Sequence, residues 1–178
     1  KIMELARGAE TGFILQSGLA PGFIDVLGHG MFQKFCEAQQ VEKVEQVLMR
    51  VGALTEHSAP PAYYAFTWSP VGVATEYVEP AVVIRDYEKT LLPSLSERRI
   101  LRIRGKAYEE ALTSGGAADL PDALAGRVRI LDYKTLRYPG HYEWVEKQLT
   151  DLTDRENRAS RLQGRMEEVI PHMEEDLV

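Results

Sequence analysis

The stretch "RVRILDYKTLRYPGH" (residues 127–141) decides the fold. Val128, Ile130, Leu131, Tyr133, Thr135 and Arg137 give it a high content of β-branched, aromatic and apolar side chains in imperfect alternation, and Pro139 with Gly140 breaks it off. It reads as the best strand of the chain, running over 127–138 into a turn. Past Gly140 the period changes, and Tyr142, Val145 and Leu149 fall along one face of a helix. The turn therefore passes from a cation, Arg137, at the strand end to an imidazole, His141, at the helix start. A guanidinium placed there can grip a carboxylate through two hydrogen bonds, or pair with one of the chain's 27 acidic residues. The histidine can orient an amine or exchange protons with it near neutral pH. On spacing alone both readings of the arginine stand.

Working outward from that strand, "PAVVIR" (80–85), "RILRIRG" (99–105) and "AYEEALT" (107–113) also read as strands, the last two meeting at a Gly105–Lys106 turn. "VEKVEQVLMRV" (41–51) joins them, because its valine content and the Gly52 stop outweigh a blurred alternation. Further upstream, "KIMELARGAE" reads as a helix already under way that ends near Gly8, followed by a strand pattern in "TGFILQSG" (11–18). Pro21 opens a helix that runs to about Ala38, with Phe23, Val26, Leu27, Met31 and Phe35 at helical spacing. Ser69 and Pro70 open a shorter one. "SGGAADLPDALAG" (114–126) reads as a loop with a brief helical turn. Downstream, Thr153 and Glu156 form a capping box for a last helix, striped by Leu162, Met166 and Val169 and ended by Pro171. Strands in the middle with helices at both ends predict an α+β fold, a sheet layered by helices.

Composition narrows the function classes. The 178 residues are 44% hydrophobic and 27% charged, enough for one domain or for one domain and part of another. Net charge is −6, and the last 28 residues set four arginines against eight carboxylates, so no basic surface suits a nucleic-acid backbone. The single cysteine, Cys36, excludes an intramolecular disulfide and a cysteine-based zinc cluster, and no metal site is expected. No run approaches the roughly 20 apolar residues of a membrane span, and no signal-peptide pattern opens the chain. These features predict a soluble cytoplasmic protein without membrane or nucleic-acid partners. The start, lacking a methionine and opening inside a helix, predicts that the chain is cut from a longer protein or lacks preceding residues.

Three loops are candidates for ligand contact. "SGLAPGFIDVLGHG" (17–30) joins a strand end to a helix start; free N–H groups there suit a carboxylate or phosphate, and the same segment also reads as an ordinary connection. No G-x-G-x-x-G accompanies it. "YYAFTWSP" (63–70) clusters aromatics, which core packing explains as readily as a site does. "ALTSGGAADLP" (111–121) offers Thr113, Ser114 and two glycines, as a polar-ligand loop or a plain turn. His57 reads as an exposed loop residue, and Cys36 as a small core side chain rather than a nucleophile.

"GLAPG", "FTWSPVGVATEY", "TSGG" before "LP", and above all "YKTLRYPGH" occur in the order and placement that resemble the saccharopine dehydrogenase family, particularly members similar to lysine 6-dehydrogenase. The likeness runs from about residue 10 to about residue 150. It implies a Rossmann domain followed by a mixed-sheet domain like the C-terminal catalytic domain of glyceraldehyde-3-phosphate dehydrogenase. Residues 1–20 would be a remnant of the first, and 21–178 the substrate-binding and dimerisation domain. The implied reaction oxidises a C–N bond of lysine or a similar amino acid, or runs in reverse. NAD or NADP would be bound mainly by the missing domain, and the chain would form a homodimer through the sheet face or edge. By position, the resemblance places Leu19, Ala20, Pro21 and Gly22 near the cofactor. It places Trp68, Thr113, Ser114 and Arg137 at the substrate, with His141 as the catalytic candidate. Three departures favour a small amino acid over saccharopine: Thr113 and Ser114 fall where saccharopine-forming relatives carry an arginine, Val51 replaces their cysteine, and Ala20 their aspartate. A reductase forming carboxylated polyamines, and a non-catalytic dimeric interaction module, are the alternatives.

Overall fold

In the computed structural model the described residues are 4, 6, 7, 10–12, 14–154 and 156–173. The helix expected to end near Gly8 falls largely outside them. The elements run α1 (Phe23–Gln39), β1 (Val44–Val51), α2 (Pro70–Val78), β2 (Ala81–Arg85), β3 (Glu88–Leu92), β4 (Arg99–Ile103), β5 (Lys106–Leu112), α3 (Leu120–Leu124), β6 (Val128–Arg137), α4 (His141–Leu149) and α5 (Arg158–Glu167). The predicted α+β fold with a mixed, helix-layered sheet is the observed one.

Strand β6 organises everything else. One of its edges is held by β1, which runs parallel to it from Val44 opposite Val128 to Val51 opposite Thr135. The other edge is divided between two antiparallel hairpins. The β2–β3 hairpin meets it at Ile130 and Leu131, and β5 with its partner β4 from Lys134 to Arg137. Each hairpin closes on two consecutive left-handed residues, Asp86 (φ 50°) with Tyr87 (φ 71°) and Arg104 (φ 49°) with Gly105 (φ 81°). Such turns match the twist of the strands they join. The sequence reading has no strand at β3, whose "EKTLL" carries two charged residues in five and follows Asp-Tyr rather than Asn-Gly.

Alternation along β6 sends Leu131, Tyr133, Thr135 and Arg137 to one face. There Leu131 and Tyr133 join Met49 and Ile84 beneath Phe32 and Cys36 of α1 and Leu120 and Leu124 of α3. A second cluster packs α2, α4 and α5 over Ala111, with Tyr64 and Phe66 among its largest side chains. Burying each of these large side chains contributes about 1.5–3 kcal/mol. The opposite face carries ions instead. Arg50, Arg85, Glu97, Arg99, Glu110, Asp132 and Lys134 interlock across strands β1, β2, β4, β5 and β6 and the loop before β4 at 2.5–3.5 Å.

Two local expectations need correction, and one helix docks by a side that its apolar spacing does not announce. Residues 14–17 form no strand; Ile14 and Leu15 are exposed, and only a single bridge joins Gly18 to Gly22. The apolar stripe of α1 faces outward, with Phe23, Val26, Leu27, Met31 and Phe35 between 42% and 75% exposed. The helix instead docks through Phe32, Cys36 and Gly28, where an added Cβ would stand 3.3 Å from Met49 Sδ. Finally, α5 starts at Arg158, past the predicted Thr153–Glu156 box. Asp154 takes that role, accepting from the Glu156 N–H at 3.2 Å and from Asn157 Nδ2 at 2.9 Å, and so closes a turn ahead of the helix. Val169 lies beyond the helix end and is exposed.

Candidate functional site

The end of β6 brings Thr135 and Arg137 to a cleft of about 300 Å³. Gly18, Leu19 and Ala20 form one wall, Val51 and Ala53 after β1 another, and Thr67, Trp68 and Glu76 a third. A second cavity of about 320 Å³ shares Ala20, Trp68 and Glu76 with the first and extends along Ser114, Gly115 and Gly116. Two glycines let the walls form. A Cβ on Gly72 would come within 2.2 Å of the Trp68 ring, and one on Gly116 within 2.1 Å of the Tyr133 ring. Without side chains at those positions, both aromatic rings can lie against backbone.

Arg137 is 2% exposed and is held from three sides. Its Nε donates to Tyr77 Oη at 2.8 Å, its Nη1 to the Leu136 carbonyl at 3.0 Å, and its guanidinium lies 4.6 Å from the centre of the Tyr64 ring. Nη2 stands 3.7 Å from Glu76 Oε2. Protein groups thus engage Nε and one N–H of Nη1, and Nη2 is the nitrogen turned toward the carboxyl in the cleft wall. His141 lies behind, fully buried. Its Nδ1 is 2.6 Å from the Ala62 carbonyl, which fixes the proton on Nδ1 and leaves Nε2 to accept from Tyr77 Oη at 2.9 Å. Burial, reinforced by the Arg137 charge, pushes its pKa down to about 3, so the ring is neutral. The relay from Arg137 through Tyr77 to His141 ends in the core, and no imidazole nitrogen faces the cleft.

The other predicted residues divide. Leu19, Ala20, Pro21 and Trp68 line the two cavities. Gly22 (φ 137°) does not, being tied into the turn, where a Cβ would meet Gly18 O at 2.4 Å. Ser114 is in the wall of the second cavity, where its N–H donates to the Glu76 carbonyl at 3.0 Å and its Oγ to the Thr75 carbonyl at 3.3 Å. Thr113 is buried behind, its hydroxyl 2.6 Å from Thr135 Oγ1. The sequence reading missed Glu76 altogether. Its side chain is 14% exposed, and burial, opposed by Arg137, raises its pKa to about 7. Among the described residues, neither Glu76 Oε2 nor the Thr67 hydroxyl has a hydrogen-bond partner. The available signal was faint: a carboxylate in the last turn of a helix, where the dipole disfavours it.

The start of α1 does not fit a dinucleotide's phosphates. The N–H groups that open α1 are spent inside the "GLAPG" turn: Phe23 N–H on Gly18 O, Ile24 N–H on Leu19 O, Asp25 and Val26 N–H on Gly22 O. The Gly22 N–H donates to Asp25 Oδ2 at 2.8 Å. This corrects the expectation of free donors there. Among the described residues no group of acidic, histidine or cysteine side chains could hold a metal ion, and no helix is long and apolar enough to cross a membrane.

The fold is thus an α+β domain whose cleft sets the Arg137 guanidinium close to the Glu76 carboxyl. Residues 18–173 match the saccharopine dehydrogenase C-terminal domain, and the chain belongs to that family. Among solved structures it is similar to apo histidine-tagged saccharopine dehydrogenase (L-Glu forming) from Saccharomyces cerevisiae, with 23% identity over 74% of this chain and a TM-score of 0.57. The match covers 30% of that chain, so the present sequence corresponds to a minor part of the yeast protein, and the likeness is one of fold.

Proposed function

We propose that this chain is the substrate-binding domain of an NAD- or NADP-dependent dehydrogenase that oxidises a C–N bond of a small amino acid such as lysine, or performs the reverse reductive amination. The observation that carries the reading is the cleft at the end of β6, where the Arg137 guanidinium, Thr135, Trp68 and the "GLAPG" wall surround one space large enough for an amino acid. In this reading Arg137 Nη2 meets the substrate carboxylate, and Trp68 and Leu19 exclude water from the reacting carbon. Tyr77 and His141 hold the guanidinium in place, so His141 acts as a positioning residue. The cofactor binds to a separate domain, supplies the hydride chemistry and meets this chain only at Leu19–Pro21.

The test is a screen of the complete protein against amino acids with NAD and NADP, read as NAD(P)H absorbance. Turnover on lysine or another small amino acid is the expected result; none on any amino acid overturns the reading. The proposed partner is a second copy, paired along β1, whose outer edge meets no other strand among the described residues. Sedimentation of a monomer at high micromolar concentration would remove that part.

A further inference from the structure

The carboxyl of Glu76 is expensive where it stands. It occupies the last turn of α2, at the negative end of the helix dipole, and that turn contains no basic residue. Its side chain is largely out of water, and Oε2 accepts no hydrogen bond among the described residues. Arg137 is close but does not satisfy it: at 3.7 Å Nη2 is beyond hydrogen-bond reach, and the other two guanidinium nitrogens are engaged elsewhere. A buried acceptor left open in a cavity wall is a place for a donor that arrives with the ligand.

We infer that Glu76 receives the α-ammonium group of the ligand while Arg137 Nη2 meets its carboxylate, so that the site selects α-amino acids over hydroxy acids of the same skeleton. The inference rests on the cleft being the substrate site proposed above. The spacing supports it, because the two charges of an α-amino acid share one carbon, and groups that must face both have to stand close together, as these do. Glu76 also forms part of the boundary between the two cavities, so a side chain leaving the shared carbon has the second cavity, along Ser114 and Gly116, to enter. The ionisable groups around the carboxyl are Arg137 and Tyr133 on β6, Tyr77 on its own helix and Tyr142 on α4. Burial pushes all three tyrosines above their ordinary range and keeps them neutral. The arriving ammonium therefore adds the positive charge that Arg137 alone does not bring into contact.

The experiment is calorimetric titration of the complete protein with norleucine and with 2-hydroxyhexanoate, which differ only in the amine. Norleucine should bind roughly 10- to 100-fold more tightly. Glu76→Gln should erase that gap. Affinity for norleucine should also rise between pH 6 and 8 in the unaltered protein, as the Glu76 carboxyl ionises, and stay flat in the variant. Equal binding of the two ligands, binding of neither, or a gap that survives Glu76→Gln overturns the inference. Because Glu76→Gln could disturb folding, Glu76→Asp is the control: it keeps the charge and should retain part of the preference. If NAD(P)H is never formed yet the gap and its loss are seen, the dehydrogenase reading fails and the assignment of Glu76 survives.

Discussion

Two buried carboxylates on opposite faces of one sheet meet opposite fates. Glu110, on the ionic face, is 1% exposed and touches Arg50 at 2.5 Å, Arg99 at 3.0 Å and Lys134 at 3.5 Å. Burial pushes its pKa up, but the hydrogen bonds and charges around it prevail and hold it below the usual carboxylate range. Glu76, on the helix-covered face, has one cation at 3.7 Å and ends near 7. The difference teaches what each face is for. Where charges neutralise one another at contact distance, the arrangement is complete and holds strands in register. Where one carboxyl is left partly paired in a cavity, its ionisation waits on something that enters.

The contrast can be broken most severely at Glu110. Glu110→Ala removes the carboxylate that Arg50, Arg99 and Lys134 share, leaving Asp132 to hold Arg50 and Glu97 to hold Lys134, and should cost about 2–4 kcal/mol in urea unfolding; a loss under about 1 kcal/mol would mean that the network is no more than a set of surface pairs. Next in size, Arg137→Ala should weaken amino-acid binding to the complete protein by on the order of 2–4 kcal/mol, and Arg137→Lys should also weaken it, because a point charge cannot hold Tyr77 and reach the cleft together. Should Arg137→Lys leave the Michaelis constant unchanged while thermal stability drops, the arginine only anchors the strand end. Glu76→Gln sharpens the comparison through pH. A carboxyl whose folded pKa lies above its unfolded value of 4.5 lets the folded state keep a proton that the unfolded state has lost, so stability falls as pH rises from about 4.5 to 7. Replacement by Gln should flatten that slope, an effect of up to about 3 kcal/mol, and unfolding curves at pH 5 and pH 8 would show it. At the small end, Glu143→Gln in the exposed Lys147 pair of α4 should leave the unfolding midpoint where it is.

Much of this could be read from residues. Strand β6, the β4–β5 hairpin and the three apolar positions of α4 follow from local period and turn chemistry, which act over a few residues. The orientation of α1 does not. Phe23, Val26, Leu27, Met31 and Phe35 announce a helix, but Gly28, by allowing close approach to Met49, decides which side docks, and that choice depends on a strand elsewhere in the chain. The site shows the same limit. Arg137 and Trp68 could be singled out from motif, whereas the commitment of Nε to Tyr77 and the seclusion of His141 depend on α2 and on the Ala62 loop crossing behind β6. Glu76 left only a faint trace, because a glutamate near a helix end does not disclose the cavities on either side of it.

The parallel pairing of β1 with β6 also governs how the molecule must come into being. Arg50 and Asp132, joined across those strands at 2.7 Å, are 82 residues apart in the chain. Closing so long a loop costs entropy before any contact rewards it, and sheets built on such distant partners assemble slowly. On the ribosome, β1 emerges well before its partner and must wait with one apolar face uncovered, beside a helix whose own stripe never finds cover within the described residues. The interval before Val128 is synthesised thus leaves the apolar face of β1 without its partner strand and open to aggregation.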